Sequence, residues 1–501
     1  MSTTNRKQIP PLSKSRFLAG CQCHKRLYLE CFNRNLADPI SVRQQEIFDT
    51  GTEVGEIARR LYVGGLLIDE DYLHFDEAVA STNAALSDLS LPALFEAAFQ
   101  YEDISIRADI LKRYEDGRFD LIEFKSSTQV KVENIHDVGI QLYVLSGCGI
   151  PIRRTCIGYL NKEYVYQGGE YDLNQLFLID DITDKAEQLQ TQMPTLIGEM
   201  RKSLWCFDPP DIKPGKYCSK PHTCLFYDYC HANEPEHHVR QLPWASEKLL
   251  LSLEKADIND IGNIPAYFVG LNTLQERVRN CVINDCLYLE NEIERQLKQL
   301  EYPVYFLDFE AFNPVLPLYV GTHPYQVIPF QWSIHTLDKS GELRHKQFLH
   351  EGPGDPRRLV AETLLQALGT TGSIIVYSGY EAARIRELAE VFPDLSSSLM
   401  DLLNGRIMDL LKLLRKHCYH PKFHGSFSIK SVLPALVPGL DYSDLAIDDG
   451  GMASAAYAEM RRPEILPERR DFIKQSLLAY CKRDTEAMVR LFQTLRSGTE
   501  T

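Results

Sequence analysis

The sequence predicts an α/β protein with more than one domain, and three observations support this fold class. The chain has 501 residues, enough for two or three domains at roughly 100–200 residues each. In its C-terminal part, short apolar runs with strand character alternate with amphipathic stretches of helical length. Its 44% apolar and 25% charged residues are ordinary for a folded, water-soluble protein.

The first half combines helices with a hairpin. An amphipathic helix is expected over 41–62. The runs SIRADILKRY (105–114) and GRFDLIEFKSS (117–127) are apolar and partly alternating, and they meet at Glu-Asp-Gly, which is typical of a hairpin turn. The segment VGIQLYVLSG (138–147) predicts a further helix. We therefore expect the first domain to mix helices and strands.

A change in composition near 206–245 marks the end of the first domain. This stretch is rich in Pro, Cys, His and Tyr and has little helical periodicity, which predicts a compact loop region. Short helices, broken at Asn263–Pro265, are expected after it. The sequence therefore predicts a first domain over 15–235, a helical connector over 236–302 and a last domain over 303–495.

The last domain alternates strands and helices, as expected of an α/β sheet. A new strand begins at Pro303, two further apolar runs follow it, and helical and strand patterns then alternate. The strand candidates are 303–312, 326–337, 342–351 and the buried run GSIIVYSG, and the helix candidates are 356–369 and EAARIRELAEVF.

Charge and hydropathy narrow the class of protein. The net charge of −15 argues mildly against a protein that coats nucleic acid by charge alone, but a narrow basic channel can coexist with an acidic surface. No apolar run approaches the ~20 residues of a membrane helix. The first residues are basic with no apolar core after them, so no secretory signal is expected. We therefore expect a cytoplasmic protein with no membrane partner.

Three separated segments of the last domain carry acids in a pattern suited to metal binding. Asp308 and Glu310 alternate on an apolar strand, so both carboxylates face one way and repel unless a cation lies between them. Glu381 follows the strand IIVYSGY, where α/β proteins usually place their chemistry. Tyr480 and Asp484 lie one helical turn apart. Such acids can hold two hard cations roughly 3.5–4 Å apart for phosphodiester hydrolysis, and the tyrosine could orient the attacking water.

In this order and spacing, the segments resemble the DnaQ-like (RNase H-like) exonucleases of the tyrosine-bearing DEDDy subtype, over about 303–495. The resemblance implies an RNase H-like domain with a mixed sheet and a 3′→5′ exonuclease that uses Mg²⁺ or Mn²⁺, in which the acids bind metal. Glu381 departs from the family, which generally has Asp there. Asp409 matches an acid that precedes a helix and is not a ligand. The matching catalytic positions are Asp308, Glu310, Glu381, Tyr480 and Asp484.

The ordinary explanations of these motifs stay open. Asp-x-Glu is common by itself, tyrosine often packs in a helix, and aspartate often faces solvent. A basic segment, HPKFHGSFSIKSVLP (420–434), is predicted to be a loop entering a helix. Its Lys422, His424 and Lys430 could meet phosphate, although a solvated basic loop explains them equally well.

The first domain carries a second set of charged residues. Glu123 and Lys125 alternate on the second strand of the expected hairpin and so share a face, while Asp109 lies on the first strand. Two carboxylates can hold a cation, and a lysine can position water or stabilise charge developing on phosphate. Gln141 follows on a helix and could contact the same site. An exposed strand pair is the commoner explanation of Glu-x-Lys.

These positions resemble the PD-(D/E)xK nucleases, specifically the RecB-like group that includes the CRISPR-associated exonucleases. The resemblance implies a restriction-endonuclease-like domain over about 15–235. Many relatives also use an upstream His, which GTEVGEIARR lacks, and Glu56 or Glu96 could substitute for it. The matching positions are the metal ligands Asp109 and Glu123, with Lys125 and Gln141.

The cysteines add a further feature to the first domain. Cys218, Cys224 and Cys230 form a tight set in the loop region, and Cys23, or less favourably Cys21, lies upstream. RecB-like relatives hold a 4Fe-4S cluster with one early cysteine and three late ones. The resemblance therefore implies a cluster with Cys23, Cys218, Cys224 and Cys230 as ligands.

Zinc is the alternative to this cluster, since His222 and His231 lie near the late cysteines. The wide separation of the early cysteine from the other three favours the cluster. The chain has thirteen cysteines in all, and six scattered ones are expected to be ordinary buried thiols: Cys148, Cys156, Cys281, Cys286, Cys418 and Cys481.

Together the two resemblances indicate a bacterial family that fuses a RecB-like nuclease to a DnaQ-like exonuclease. They imply a metal-dependent nuclease that hydrolyses phosphodiester bonds of DNA, at single-stranded ends, in repair or defence. Two alternatives remain open. The chain is a nucleic-acid-binding or scaffold protein in which one or both sites are inactive, or it is an RNA exonuclease, because unmarked side chains decide contacts to the 2′-hydroxyl.

Overall fold

The computed structural model describes residues 9–497, apart from the side chain of Arg43, and it has the α/β architecture that the sequence predicts. The chain divides into two compact units. The first contains the chain up to Asn233 together with Pro314–Gln326, and the second contains Glu234–Asn313 and the chain from Val327 onward. The expectation about a secretory signal rests on residues 1–17, of which 1–8 lie outside the described range.

The first unit contains seven strands and nine α-helices among its described residues. The predicted hairpin is present as β4 and β5, and the helix expected over 41–62 is α3, which begins after a capping box formed by Ser41 and Gln44. The strands are β1 Leu12–Ser13, β2 Leu66–Leu67, β3 Ala93–Tyr101, β4 Ile104–Arg113, β5 Phe119–Lys125, β6 Ile152–Leu160 and β7 Phe177–Asp181. The helices are α1 Lys14–Gln22, α2 His24–Phe32, α3 Val42–Arg59, α4 Phe75–Ser87, α5 Val132–Gly147, α6 Leu173–Leu176, α7 Thr183–Gln190, α8 Met193–Trp205 and α9 Tyr227–His231.

These strands form one mixed sheet in the order β2-β3-β4-β5-β6-β7, with β1 beside β4. The central pairs β3–β4 and β4–β5 are antiparallel, whereas β5 and β6 are parallel. Helix α5 packs on the sheet and buries an apolar face that includes Val138, Leu142 and Leu145. The same helix therefore brings its polar residues over the middle strands of the sheet.

The second unit contains seven strands and ten α-helices among its described residues. The strands are β8 Tyr288–Leu289, β9 Val304–Phe312, β10 Ile328–Leu337, β11 Leu343–Leu349, β12 Ile374–Val376, β13 Ile407–Asp409 and β14 Cys418–Tyr419. The helices are α10 Glu247–Lys255, α11 Thr273–Asn284, α12 Asn291–Lys298, α13 Arg357–Leu368, α14 Tyr380–Val391, α15 Pro393–Leu403, α16 Leu410–His417, α17 Ile429–Leu436, α18 Gly450–Met460 and α19 Pro467–Ser497.

The main sheet of the second unit has the order β11-β10-β9-β12-β13. Its first three strands are antiparallel, and β12 and β13 run parallel to the central strand β9. On one face, Leu307 and Phe309 of β9 join an apolar core with residues of α13, α14 and α15. On the other, Phe306 packs against Phe492 of the long helix α19, with ring centroids 5.4 Å apart.

The residues expected to form a connector lie inside the second unit. Helix α12 buries Ile293 and Leu297, and it packs against α16 and α19. Since burying an apolar face gives most of a helix's stability in a protein, this segment is part of the second unit's core. Among the described residues, no helix combines the length and apolarity needed to cross a membrane.

Candidate functional site

The acidic residues predicted in the last domain come together on three elements of the second unit. Asp308 and Glu310 lie on β9, on the face opposite the buried Phe309, because successive side chains of a strand alternate. Glu381 lies in the first turn of α14, just after β12. A cavity of about 350 Å³ opens between these elements and α19, and all five predicted residues line it: Asp308, Glu310, Glu381, Tyr480 and Asp484.

Two of these carboxylates lie close enough to share one cation. A carboxylate oxygen of Asp308, one of Glu310 and the thiol sulfur of Cys481 all lie within 4.8 Å of one another, so these residues could hold a metal ion. Cys481 is fully buried, and its thiol lies 3.4 Å from Oδ2 of Asp308, to which it donates. Expected to be an ordinary core thiol, Cys481 instead lies at the acidic site.

Burial, together with repulsion among several of them, raises the pKa values of the four acids of this site. Burial raises the pKa values of Asp308 and Glu310 well above their ordinary values, and repulsion from Asp484 raises them further. Burial also raises the pKa of Glu381 to about 8. For Asp484, burial raises the pKa to about 6, against hydrogen bonding that lowers it.

A buried oxygen in this site also lacks a partner. Oε2 of Glu381 is buried and has no hydrogen bond within the described residues. A buried carboxylate oxygen without a donor is costly, and a divalent cation would satisfy it. The residues present therefore fit a metal centre with carboxylate ligands.

Two further side chains complete the site. The hydroxyl of Tyr442 donates to Oδ1 of Asp484 at 2.5 Å. The ammonium of Lys430 lies 5.5 Å from the ring centroid of Tyr442 and 5.7 Å from that of Tyr480, and it donates to the backbone oxygen of Asp448. Its positive charge lowers the pKa of Glu310, which burial raises. Nothing in the sequence around Tyr442 distinguishes it, because its role depends on α19 lying beside its loop.

The other residues of the predicted basic loop lie differently. Lys422 and His424 are exposed, and the His424 ring stacks on that of His237 at 5.4 Å. Lys430 is thus the member of this group that comes near the acids. Asp409, expected to be a non-ligand acid, caps α16 by accepting from the backbone N–H of Lys412 at 2.9 Å.

The charged residues predicted in the first domain also meet. Asp109 lies on β4 and accepts from the backbone N–H of Phe124 on β5 at 3.0 Å. The ammonium of Lys125 donates to Oε1 of Glu123 at 2.6 Å. From α5, Nε2 of Gln141 donates to Oε2 of Glu123 at 2.9 Å, and the Oε1 atom of this glutamine is buried without a partner in the described chain.

Two members of this N-terminal cluster, Asp137 and Lys14, were not predicted from the sequence. Asp137 lies on α5 one turn before Gln141, and it accepts from Lys125 at 2.5 Å. Lys14, the first residue of α1, donates to Glu123 at 2.9 Å. The spacing of Asp137 and Gln141 on one helix was a usable signal. Lys14, more than a hundred residues before Glu123, carried none.

The two candidates for the missing histidine, Glu56 and Glu96, have different surroundings. Glu56 is exposed on α3. Glu96 forms an ion pair with Arg59 at 2.9 Å and has a positive φ of 53° inside β3. A non-glycine residue in this conformation interrupts the regular strand beside Asp109.

Four cysteines of the first unit line one small cavity of about 20 Å³: Cys23, Cys218, Cys224 and Cys230. Cys23 lies between α1 and α2, and the other three lie on the loop and short helices that follow α8. Burial raises the pKa of the Cys224 thiol to about 11 and also raises that of Cys230. Within the described chain, no three of these sulfurs lie within 4.8 Å of one another.

The remaining cysteines and the nearby His222 and His231 differ in exposure and contacts. All thirteen cysteines are free thiols, and Cys148 and Cys286 are exposed, contrary to the expectation of burial. The other scattered ones are buried. His231 stacks on Tyr227 at 3.9 Å, and burial lowers the pKa of His222.

Comparison with known proteins adds one partial match. Residues 305–428 match a family described as "Domain of unknown function (DUF2779)". This segment includes Asp308, Glu310 and Glu381 and ends before Tyr480 and Asp484. None of the curated proteins compared with the chain matches it.

The chain is also similar to a solved structure titled "Crystal structure of SSO0001". The two are 15% identical, and the match covers 46% of this chain and 89% of that one. The TM-score is 0.22, which is too low to define a shared fold.

Proposed function

We propose that this protein is a metal-dependent nuclease whose second unit is a 3′→5′ exonuclease of the DnaQ-like, DEDDy type. One observation carries the proposal. Four carboxylates from β9, α14 and α19, distant in sequence, meet with a tyrosine around a single cavity, and one buried carboxylate oxygen there has no partner in the described chain. Burying several carboxylates together destabilises the folded protein unless a cation binds them.

The metal ligands would be Asp308, Glu310, Glu381 and Asp484, all of them hard oxygen donors suited to Mg²⁺ or Mn²⁺. Bound metal supplies charge that activates water and stabilises the leaving oxygen of a phosphodiester.

The protein's own groups have separate tasks in this proposal. The Tyr480 hydroxyl, in the cavity wall, orients the attacking water, and Tyr442 holds the Asp484 carboxylate in place through its 2.5 Å hydrogen bond. The Lys430 ammonium attracts the phosphate backbone toward the cavity, since it lies 5.5 and 5.7 Å from the ring centroids of Tyr442 and Tyr480.

We further propose that the first unit is a RecB-like PD-(D/E)xK nuclease domain. Its support is the convergence of Asp109, Glu123, Lys125 and Gln141 from β4, β5 and α5. Asp109 and Glu123 would hold a divalent cation, and Lys125 would stabilise negative charge on the phosphate. The unpartnered Oε1 of Gln141 offers a further acceptor in the same place.

The four clustered cysteines support a 4Fe-4S cluster in preference to zinc. All four cysteines line one cavity, and Cys23 lies nearly two hundred residues before the other three. Thiolates suit an iron–sulfur cluster, which would join α1 and α2 to the segment after α8.

The substrate proposed is DNA with single-stranded ends, and nuclease assays test it directly. End-labelled single-stranded DNA and RNA are incubated with Mg²⁺ or Mn²⁺ and wild-type protein, Asp308→Ala, Glu123→Ala or the double variant. Asp471→Ala, at an exposed position of α19, and Glu163→Ala, at an exposed position of the first unit, are the matched controls.

We expect 3′→5′ shortening of DNA that is lost in Asp308→Ala and kept in both controls. Intact substrates with wild-type protein would exclude the nuclease proposal in favour of a binding or scaffold protein. Shortening of RNA alone would make the protein an RNA exonuclease. If Glu123→Ala behaves as wild type on every substrate, the proposed site in the first unit has no role in cleavage.

A further inference from the structure

The acidic cluster of the first unit contains a cation of its own. Nζ of Lys14 lies 2.9 Å from Glu123, 3.4 Å from Asp137 and 3.8 Å from Asp109, measured to one oxygen of each carboxylate. The ammonium thus contacts both proposed metal ligands of this unit, Asp109 and Glu123, as well as Asp137. Lys14 is therefore placed to compete with a divalent cation for these carboxylates.

Two acids of the cluster, Glu123 and Asp137, already have a basic partner other than Lys14. Lys125 already contacts Glu123 at 2.6 Å and Asp137 at 2.5 Å. Lys14 is the lysine that also approaches Asp109, and its contacts extend over all three acids. With two ammoniums against three carboxylates, the cluster has a formal charge of −1, which leaves little attraction for a divalent ion.

Lys14 is a cation at the edge of the cluster. Its ammonium lies within 3.8 Å of three carboxylates, which stabilise its positive charge. Its side chain is 23% exposed, so it reaches the opening of the cluster. As the first residue of α1, it extends on a flexible four-carbon stem from a fixed helix start capped by Ser13.

We propose that Lys14 is an internal competitor of the divalent metal, which enters this site when the ammonium leaves the acids and pairs with a phosphate of the nucleic acid. This inference rests on the metal site proposed for the first unit. Metal and nucleic acid then bind cooperatively. A phosphate draws the Lys14 ammonium away from the acids that bind the metal, and the metal occupies the acids that would otherwise hold Lys14 away from the phosphate. The metal-free site stays closed until substrate arrives.

Metal binding by the full-length chain tests this inference. Asp308→Ala and Glu310→Ala are introduced together to silence the site of the second unit, and free Mn²⁺ is measured by electron paramagnetic resonance. Lys14→Met and Lys14→Gln remove the charge and shorten the side chain by one atom. Lys162→Met, at a position 69% exposed in the same unit, is the matched control.

Without nucleic acid, we expect both Lys14 variants to bind Mn²⁺ roughly 5- to 150-fold more tightly than the parent, the usual range of coupling between two sites. A single-stranded oligonucleotide with non-cleavable linkages should tighten Mn²⁺ binding by the parent and leave the Lys14 variants unchanged. Equal or weaker Mn²⁺ binding by folded variants overturns the inference. An absence of Mn²⁺ binding in parent and variants alike overturns the proposed metal site itself.

A measurement on protein with native Lys14 decides the matter if the variants fold poorly. Lysine acetylation by a water-soluble reagent is followed by mass spectrometry, in the presence and absence of Mn²⁺. Displacement predicts that saturating Mn²⁺ increases the labelling rate of Lys14 and not that of Lys162. A Lys14 rate unaffected by bound Mn²⁺ contradicts the competition.

Discussion

Replacing Glu381 with glutamine should stabilise the metal-free protein at alkaline pH, although it removes a proposed ligand. Burial raises the pKa of Glu381 from 4.5 to about 8, and its side chain is almost fully buried. A raised carboxyl pKa means that the folded state holds the proton more tightly than the unfolded state. The stability that this proton provides is present below pH 4.5 and is lost as the pH rises toward 8.

The size of the effect follows from the same pKa. One pH unit corresponds to about 1.4 kcal/mol, so ionising Glu381 in the folded protein costs up to about 5 kcal/mol at pH 8.5. Glutamine keeps the shape and never ionises. We therefore expect Glu381→Gln to raise the free energy of unfolding by several kcal/mol at pH 8.5 and to change it by less than about 1 kcal/mol at pH 5.

Urea unfolding in EDTA, followed by tryptophan fluorescence, measures this difference. Trp332 is buried in the core of the second unit, while Trp205 and Trp244 are largely exposed, so the main change in emission reports on that unit. Adding Mg²⁺ should reverse the order at pH 8.5, because metal stabilises the wild type and binds the variant weakly. A variant destabilised equally at both pH values in EDTA would refute the reasoning, since Glu381 would then act by packing alone.

Three further predictions concern single atoms of the sites. Tyr480→Phe should lower the rate of 3′→5′ cleavage by roughly 100- to 10,000-fold with Mn²⁺ affinity unchanged, and a parallel loss of affinity would assign the hydroxyl to metal binding instead. Cys481→Ser should keep Mg²⁺-dependent cleavage and weaken binding of thiophilic Cd²⁺, measured by competition; unchanged Cd²⁺ affinity would exclude the thiol as a ligand. Cys224→Ser should remove bound iron and absorbance near ~400 nm from anaerobically purified protein, whereas a colourless wild type containing zinc would contradict the cluster.

Local patterns in the sequence were sufficient to predict the α/β class and most of the elements that carry the sites. Apolar alternation located β4, β5 and β9, and helical periodicity located α5 and α14. Such patterns are local because alternate residues of a strand and residues one turn apart on a helix share a face whatever surrounds them. For this reason Asp308 with Glu310, and Tyr480 with Asp484, were predictable as pairs.

The connector shows where local patterns stop being sufficient. Short helices were predicted over 236–302, and the structure has α10, α11 and α12 there. Whether a helix is a spacer or a core element depends on what covers its apolar face, which the helix's own sequence does not state. The burial of Ile293 and Leu297 decides that α12 belongs to the second unit.

By itself, the sequence determined which residue types could do chemistry and on which local element each lies. Tertiary structure alone decided which distant side chains join them. Lys14 reaches Glu123 because α1 packs beside α5, Tyr442 reaches Asp484 because its loop lies against α19, and Cys481 faces Asp308 because α19 covers β9. These contacts join residues between 42 and 173 positions apart, and a pattern of nearest neighbours carries no information over such distances.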